Sequence, residues 1–318
     1  MKNKFKLKNS FNEFKLRLRR SQGIALALGG GGAKGSAHIG VLRVLERENI
    51  RIEALAGSSI GGLVAAVYAV GNNAAAIEQR MSALQASNLL RSGSKAPNAL
   101  MGLDGIAHVL EDILGERRFE DLYIPLALTA LDLVTCQEVV LREGKLVDAV
   151  LATIAIPGIF PVQKMNGYEL VDGGLSNPVP VAVARSLAPR LPVVASVLSQ
   201  PTLAVPSSNG NGAKKNGLSA LPLPGPLMRL RLGQSFLAFM NALSVSGRIQ
   251  TELRIGLEKP DVVIRPDVEH VGLLDAVDVV DLARRGEEAT LKVLPDLRRI
   301  LRRARWFSYL PNKAINAS

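Results

Sequence analysis

The sequence has little cysteine and few histidines, and each shortage excludes a class of protein. The single cysteine, Cys136, cannot form an internal disulfide, which argues against a disulfide-stapled secreted fold and fits a reducing compartment. We expect Cys136 to be a small buried residue. No histidine–cysteine cluster indicates a metal site, so neither a metal nor another cofactor is expected.

Aromatic residues and long apolar runs are scarce as well. Aromatics make up 4% of the 318 residues while hydrophobic residues make up 47%, so the core must be aliphatic. Such a composition suits an α/β protein with a buried parallel sheet. No apolar run reaches the roughly 18 residues of a membrane span. The N-terminus has no apolar region after its basic residues, so it does not read as a secretory signal.

The positive charge is concentrated at the two ends of the chain. The formal net charge is +11, and residues 1–22 combine Lys and Arg with apolar residues at helical spacing. This pattern predicts either a basic amphipathic helix at a membrane surface or a disordered solubilising arm. Residues 291–318 are again basic and amphipathic. Without interleaved aromatics or a known module, these ends do not predict nucleic-acid binding.

Between these ends, apolar strand-like runs alternate with helical patterns. The alternation predicts an α/β fold with a central, mostly parallel sheet and helices on both faces. Residues 199–226 are rich in Pro, Gly, Ser and Asn and predict a flexible loop. A helix from about Leu227 to Leu257 and a strand in "DVVIRPDV" follow, and then a helical segment that we expect to be interrupted at Pro295.

The stretch "GSSIG", Gly57 to Gly61, matches G-x-S-x-G between a strand-like and a helical pattern. In that motif a serine occupies a sharp strand-to-helix turn, and the flanking glycines allow a close backbone approach. The middle serine, Ser59, is therefore the candidate nucleophile, at a helix N-terminus that favours developing negative charge. Ser58 is expected to be a turn residue.

The loop "GGGGAKG", Gly29 to Gly35, allows three interpretations. Its backbone N–H groups could hold an oxyanion. Gly30, Gly32 and Gly35 also fit the dinucleotide-binding fingerprint, with Glu53 as a ribose ligand, but this leaves the serine turn unexplained. The third interpretation is a tight structural turn. A P-loop is excluded because Lys34 follows Ala33 and not glycine.

A nucleophilic serine needs a base, and the candidates are few. None of His38, His108 and His270 has a strong local signature. In "LVDGGLSNP", by contrast, Asp172 ends an apolar strand ahead of Gly173 and Gly174. This aspartate could either reach across the sheet edge as a base or form a structural Asx-turn.

The three motifs, in this order and each after an apolar strand, resemble the patatin-like phospholipase family. The resemblance covers about residues 23–200, with weaker similarity around "DVVIRPDV" and "ARRGEEA", and implies a three-layer α/β sandwich. We take residues 23–290 as the catalytic domain. The resemblance implies a lipid acyl hydrolase with a Ser59–Asp172 dyad and an oxyanion hole formed by Gly31 and Gly32. The motif glycines would be Gly30, Gly35, Gly57, Gly61, Gly173 and Gly174, and Lys34 replaces the arginine often found in the glycine motif.

Two other hypotheses remain open from the sequence. The chain order also fits a Ser59–Asp172–His270 triad of the α/β-hydrolase kind. A non-catalytic module that binds a nucleotide or another anion through the glycine loop is the alternative from another class. The preferred hypothesis predicts a lipid or phospholipid substrate and a cytoplasmic protein that associates peripherally with an anionic membrane at its inner face. The sequence gives no indication of oligomeric state.

Overall fold

A computed structural model describes residues 23–86, 104–201 and 226–307. The expected N-terminal arm 1–22, most of the expected loop 199–226 and the last residues of the basic tail lie outside these ranges. The strands are β1 Gly23–Leu28, β2 Arg51–Ser58, β3 Leu126–Asp132, β4 Gln137–Leu141, β5 Gln163–Met165, β6 Tyr168–Asp172, β7 Val193–Ser196 and β8 Val262–Ile264. The helices are α1 Ala37–Arg47, α2 Ile60–Ala69, α3 Ala74–Ala86, α4 Asp104–Leu114, α5 Leu146–Thr153, α6 Val181–Leu187, α7 Pro226–Glu258 and α8 Val279–Phe307.

The strands of the described residues form one mixed sheet in the order β5-β6-β3-β2-β1-β7-β8, and β4 also pairs with β3. The five neighbours from β3 to β8 run parallel, joined through helices as the alternating sequence pattern predicted. Strands β4, β5 and β6 add antiparallel pairs around β3. The predicted α/β class is therefore confirmed, with an antiparallel edge on a parallel centre.

Strands β2 and β6 lie end to end along the same edge of β3. Strand β4 occupies the other edge, opposite residues 128–132 of β3. The remaining edge pairs first with β2, up to Ser58 opposite Thr129, and then with β6, from Asp172 opposite Ala130. Because β2 is parallel and β6 antiparallel to β3, their carboxyl ends point at each other. This topology brings together two chain segments more than a hundred residues apart.

The two faces of the sheet carry different side chains. In β1, "GIALAL" alternates Ile24, Leu26 and Leu28 with small residues. The large side chains belong to the main core, which also contains buried residues of α1, α2, α5 and α8. The small ones, such as Ala25 and Ala27, pack with valines of α6 on the opposite face. Period-two alternation thus places helices on both faces.

The last helix contradicts one expectation. α8 continues through Pro295 without interruption, and Leu294 and Leu297 on either side of this proline lie in the main core. Proline weakens a helix interior, but here burial of the neighbouring leucines holds the helix together. The boundary that we placed at residue 290 therefore falls inside a helix.

Cys136 is a second correction. It is exposed in the turn between β3 and β4 and has a left-handed backbone, with φ +56°. The expectation of a buried cysteine was wrong because a two-stranded hairpin leaves its connecting turn in solvent. Among the residues that the structure describes, no helix has both the length and the apolarity to cross a bilayer.

Candidate active site

The backbone turns sharply at Ser59, between the last residue of β2 and the first of α2. Ser59 has φ +54° and ψ −131°, a conformation that residues other than glycine rarely adopt. Its carbonyl accepts the first N–H bonds of α2, from Gly62 and Leu63. A Cβ on Gly61 would lie 2.3 Å from the carbonyl oxygen of Leu28, which is why this flanking position must be glycine. The turn thus presents the Ser59 hydroxyl at the carboxyl edge of the sheet.

The neighbouring serine differs from the expectation. Ser58 is the last residue of β2 and not part of the turn. Its hydroxyl is buried and makes no hydrogen bond within the described part of the chain. The other motif glycine of this segment, Gly57, packs against the backbone of Gly62, and a Cβ there would lie 2.5 Å from the Gly62 Cα.

The structure brings Ser59 and Asp172 into direct contact. The Ser59 hydroxyl donates a hydrogen bond of 2.5 Å to Asp172 Oδ2. The other carboxylate oxygen, Oδ1, accepts the Gly174 N–H at 2.7 Å. Ser59 is 6% exposed and Asp172 5% exposed, so both groups are nearly removed from water. The carboxylate therefore makes the expected Asx-turn with one oxygen and reaches the serine with the other.

Burial dominates the acidity of this carboxyl group. Removal from water raises the pKa of Asp172 to about 6, while the hydrogen bonds from Ser59 and Gly174 act in the opposite direction. Asp172 is thus a stronger base than an aspartate in water, yet it is still mostly ionised at neutral pH. Its position is fixed by its own N–H, which donates to the Ala155 carbonyl at 2.9 Å.

Thr153, at the end of α5, supports the strained serine turn. Its hydroxyl accepts the Ser59 N–H at 2.9 Å and donates to the Thr129 carbonyl at 2.6 Å. Thr129 lies on β3 where the ends of β2 and β6 meet, and a Cβ on Gly173 would lie 2.1 Å from its carbonyl oxygen. No local pattern in the sequence indicates Thr153, because its role depends on where α5 ends relative to β3.

The glycine loop packs directly against the serine turn. A Cβ on Gly30 would lie 3.2 Å from the Ser59 Cβ, and one on Gly35 would lie 2.1 Å from the Ile60 Cγ1. The Gly30 N–H is already engaged by the Pro178 carbonyl at 2.9 Å. The N–H groups of Gly31 and Gly32 make no hydrogen bond within the described residues. Among the described residues these two groups have no partner, and they directly follow the glycine that packs against Ser59.

The conformation of the loop depends on glycine at position 32. Gly32 has φ +57°, and a Cβ there would lie 2.2 Å from the Leu273 carbonyl oxygen. The same carbonyl accepts the Ala33 N–H at 2.9 Å, so the segment after β8 holds the loop from outside. Lys34 is half-buried in the loop, and this burial is the main effect that lowers its pKa. The positive charge of Arg248 lowers the pKa further, while the negative charges of Glu269 and Asp275 act in the opposite direction.

The histidines do not form a triad with the serine and the aspartate. His270 is exposed on the segment after β8, and His108 is exposed on α4 beside Glu111. His38 is fully buried, and its two ring nitrogens contact Gly29 O and Ser196 Oγ. Asp172 contacts Ser59 directly, with no imidazole between them. The geometry therefore does not assemble the alternative Ser59–Asp172–His270 arrangement.

Glu53 does not occupy the place that a ribose-binding acid would need. It lies in an irregularity near the beginning of β2, beside Gly23, and pairs with Arg51 at 2.9 Å. The glycine loop begins at the opposite end of β1, a strand of six residues or roughly 20 Å. Glu53 therefore cannot serve as the ribose ligand that the dinucleotide interpretation requires.

Apolar side chains lie on the segment between α5 and β5 that borders the site. Ile156 and Phe160 are half-buried, while Ile159 is 1% exposed and belongs to the protein interior. Gly158 between them faces the rings of Phe236 and Phe239 on α7. The same segment contributes the Ala155 carbonyl that accepts the backbone N–H of Asp172, so this apolar segment is tied to the strand that ends at Asp172.

The sequence is similar to known proteins over part of its length. It is 37% identical over 170 residues to an uncharacterized NTE family protein of Mycobacterium bovis, covering 52% of this chain and 47% of that protein. It is 29% identical over 189 residues to the mouse patatin-like phospholipase domain-containing protein 6, covering 56% of this chain and 14% of that protein. The chain thus spans about half of the first relative and a small part of the second.

A solved structure similar in shape is VipD from Legionella pneumophila, with a TM-score of 0.47, 13% identity and coverage of 88% of this chain and 67% of that one. The sequence profile of the family described as patatin-like phospholipase matches residues 26–185, which contain the glycine loop, the serine turn and Asp172. This chain belongs to the patatin-like phospholipase family.

Proposed function

We propose that this protein is a serine acyl hydrolase that cleaves carboxylic esters of lipids through a Ser59–Asp172 dyad. The observation that carries the proposal is the 2.5 Å hydrogen bond between the Ser59 hydroxyl and the buried Asp172 carboxylate. The N–H groups of Gly31 and Gly32, which have no hydrogen-bond partner within the described residues, support it. Nucleophile, base and oxyanion donors are the groups that acyl transfer requires.

In the first half-reaction, Ser59 Oγ attacks the ester carbonyl carbon while its proton passes to Asp172 Oδ2. The carbonyl oxygen becomes a tetrahedral oxyanion, and the N–H groups of Gly31 and Gly32 donate to it. The intermediate collapses with cleavage of the bond to the leaving oxygen. That oxygen takes the proton from Asp172 and departs as an alcohol, and the acyl group remains on Ser59.

In the second half-reaction, water replaces the alcohol. Asp172, again a carboxylate, removes a proton from the water, which attacks the acyl carbonyl through the same kind of oxyanion. Collapse of this intermediate breaks the bond to Ser59 Oγ. The serine recovers its proton from Asp172, and a free fatty acid leaves.

A carboxylate can serve as the base because two effects reduce the mismatch with a serine hydroxyl. Burial raises the pKa of Asp172 to about 6, and this strengthens the base without abolishing its ionised form at neutral pH. The larger contribution comes from the oxyanion donors, since loss of one such donor in an enzyme costs about 10²–10³ in rate, or ~3–4 kcal/mol. We therefore expect the glycine loop to matter as much as the base.

The surroundings favour a lipid as the source of the acyl group. Ile156 and Phe160 lie on the segment whose Ala155 carbonyl holds the Asp172 backbone, and Gly158 of that segment faces two phenylalanines of α7. An apolar wall gives an acyl chain a place out of water, worth about 0.8 kcal/mol for each buried methylene. The basic N-terminal arm, which lies outside the described residues, and the basic C-terminal end, most of which belongs to α8, would hold the enzyme at an anionic membrane where such substrates are found.

The test compares two serine variants on a short-chain ester and on phospholipid vesicles. Ser59→Ala removes the nucleophile, and we expect hydrolysis of both substrates to fall at least about 10³-fold. Ser58→Ala, at the preceding residue, removes a buried hydroxyl without a partner among the described residues, and we expect it to keep most of the activity. Undiminished hydrolysis by a folded Ser59→Ala protein would overturn the proposal.

A further inference from the structure

His38 is a buried polar residue that the proposed chemistry does not use. It lies in the first turn of α1, directly after the glycine loop, and is 0% exposed. Each ring nitrogen nevertheless has a hydrogen-bond partner: Nε2 lies 2.8 Å from the Gly29 carbonyl oxygen, and Nδ1 lies 2.9 Å from Ser196 Oγ. A buried, fully bonded imidazole beside a functional loop suggests a role in holding that loop.

The partners determine where the proton is. A carbonyl oxygen can only accept, so Nε2 carries the hydrogen and donates it to Gly29. Burial lowers the pKa of His38 to about 4, so the ring is neutral at physiological pH. Nδ1 therefore bears a lone pair and accepts the Ser196 hydroxyl proton. In this state neither nitrogen is available as a base for Ser59.

The residue that His38 holds, Gly29, is the first residue of the glycine loop. The Gly29 N–H donates to the Ser196 carbonyl at 2.9 Å, so both backbone groups of Gly29 are held, one by Ser196 and the other by His38. Ser196 is the last residue of β7 and pairs with Leu28 in the sheet. These bonds extend the order of the sheet one residue beyond the end of β1.

Further bonds fix the loop on either side of its free N–H groups. Gly30 donates to Pro178 before them, and Ala33 donates to Leu273 after them. A rotation of the Gly29 peptide would change the directions of the next N–H groups. The His38 bond to the Gly29 carbonyl opposes such a rotation.

We propose that His38 is a positioning residue that, together with Ser196, sets the direction of the Gly31 and Gly32 N–H groups toward the oxyanion. This role rests on the proposed hydrolase function. Oxyanion donors stabilise a transition state only if they are fixed before the reaction, and a misplacement of about 1 Å can cost about 100-fold in rate. The donors bind the oxyanion more strongly than the neutral ester, so their misplacement lowers kcat much more than it raises KM.

The experiment measures kcat and KM on a soluble short-chain ester for His38→Gln and Ser196→Ala. It also measures the affinity for a trifluoromethyl ketone, which forms a tetrahedral oxyanion on a serine nucleophile. For His38→Gln we expect kcat to fall about 10–100-fold with KM within about threefold, and ketone affinity to fall by a similar factor to kcat. Ser196→Ala keeps the His38–Gly29 bond, so we expect a smaller loss of the same kind.

Leu114→Ala is the matched control. Leu114 is 0% exposed in the main core, at the end of α4, and its truncation lowers stability without touching the loop. We expect it to lower the melting temperature while kcat and ketone affinity stay near wild type.

Normal kcat and ketone affinity in His38→Gln, or losses in it that Leu114→Ala reproduces, would overturn the positioning role alone. If His38→Gln does not fold, the same criteria apply to Ser196→Ala. A wild-type protein that neither hydrolyses esters nor binds the ketone overturns the proposed function, and the positioning role falls with it.

Discussion

At the scale of single residues, the ionisation of Asp172 determines when the proposed reaction can run. The carboxylate is the reactive form, and burial raises its pKa to about 6. The rate on a soluble ester should therefore rise with pH through about 6 and then level off. Asp172→Asn removes the base and should lower turnover by at least about 10³-fold. A rate that is independent of pH between 4.5 and 7.5, or an active Asp172→Asn protein, would contradict this role.

The Asp172→Asn substitution, which should lower turnover, should raise the free energy of unfolding at neutral pH. A pKa raised from 3.8 to about 6 means that the folded state binds the proton more tightly than the unfolded chain. The buried Asp172 carboxyl group therefore contributes about 3 kcal/mol to the free energy of unfolding below pH 4. This contribution is lost as the pH rises through about 6. Asp172→Asn should thus gain stability relative to wild type at pH 7.5 but not at pH 4, as measured by urea unfolding.

The identities of these residues could be predicted from the sequence, but their contact could not. Ser59 follows an apolar strand and lies two residues before Gly61, and Asp172 ends an apolar strand directly before Gly173. These local patterns are what the motifs contain. Their 2.5 Å hydrogen bond arises because β2 and β6 meet end to end along β3, and no local pattern records that pairing. The positioning role proposed for His38 and the contacts of Thr153 could not be predicted for the same reason, since Ser196 and Ser59 are distant from them in sequence. For His38, the only local indication was a histidine among the apolar residues of "SAHIGVL".

At the scale of structural elements, the conformation of the glycine loop should determine much of the reaction rate. Gly32→Ala should lower turnover about 10²–10³-fold, because the new methyl group would lie 2.2 Å from the Leu273 carbonyl oxygen and force the loop to move. Gly115→Ala is the matched control: its φ of +59° is close to the +57° of Gly32, but no atom lies within 4 Å of the added Cβ.

Both variants should lose a similar, small amount of stability from the left-handed backbone, about 1 kcal/mol. Gly115→Ala should keep its activity. Equal turnover of the two folded variants would show that the loop conformation is not needed for the reaction.

Most elements could be predicted from periodicity, and the failure at Pro295 has a physical cause outside the segment itself. Strand β1 and helices α1 and α2 follow directly from apolar patterns and glycine positions. Pro295 suggested a break in α8, yet the flanking Leu294 and Leu297 bury enough apolar surface to keep the helix continuous. Packing against the rest of the protein decides such cases, and a single-segment pattern does not contain that information.

At the scale of the whole molecule, the concentration of positive charge at the ends predicts how the protein meets its substrate. Binding to vesicles that contain anionic phospholipid should be much stronger than to neutral vesicles and should weaken with added salt. Removal of residues 1–22 should weaken this binding, with each lost basic residue near the surface worth about 1 kcal/mol. Turnover of a soluble short-chain ester by the same truncated protein should be unchanged, which separates membrane association from chemistry.

Vesicle cosedimentation of the 318-residue protein and of the truncated protein measures the difference. Equal binding to neutral and anionic vesicles would contradict the role of the basic ends.

The class of fold was predictable at this scale from strand–helix alternation and an aliphatic composition. The strand order and the antiparallel edge were not, because they depend on pairings between β3, β4 and β6 that follow from the assembled sheet.

The most direct test of the central claim is labelling with a fluorophosphonate followed by peptide mapping. A nucleophile activated by Asp172 and facing an oxyanion hole should react at a single serine, and we expect the label on Ser59 with parallel loss of ester hydrolysis. Asp172→Asn should react far more slowly at the same position. A label on another residue, or full hydrolysis by a protein that the probe does not modify, would contradict the proposed dyad.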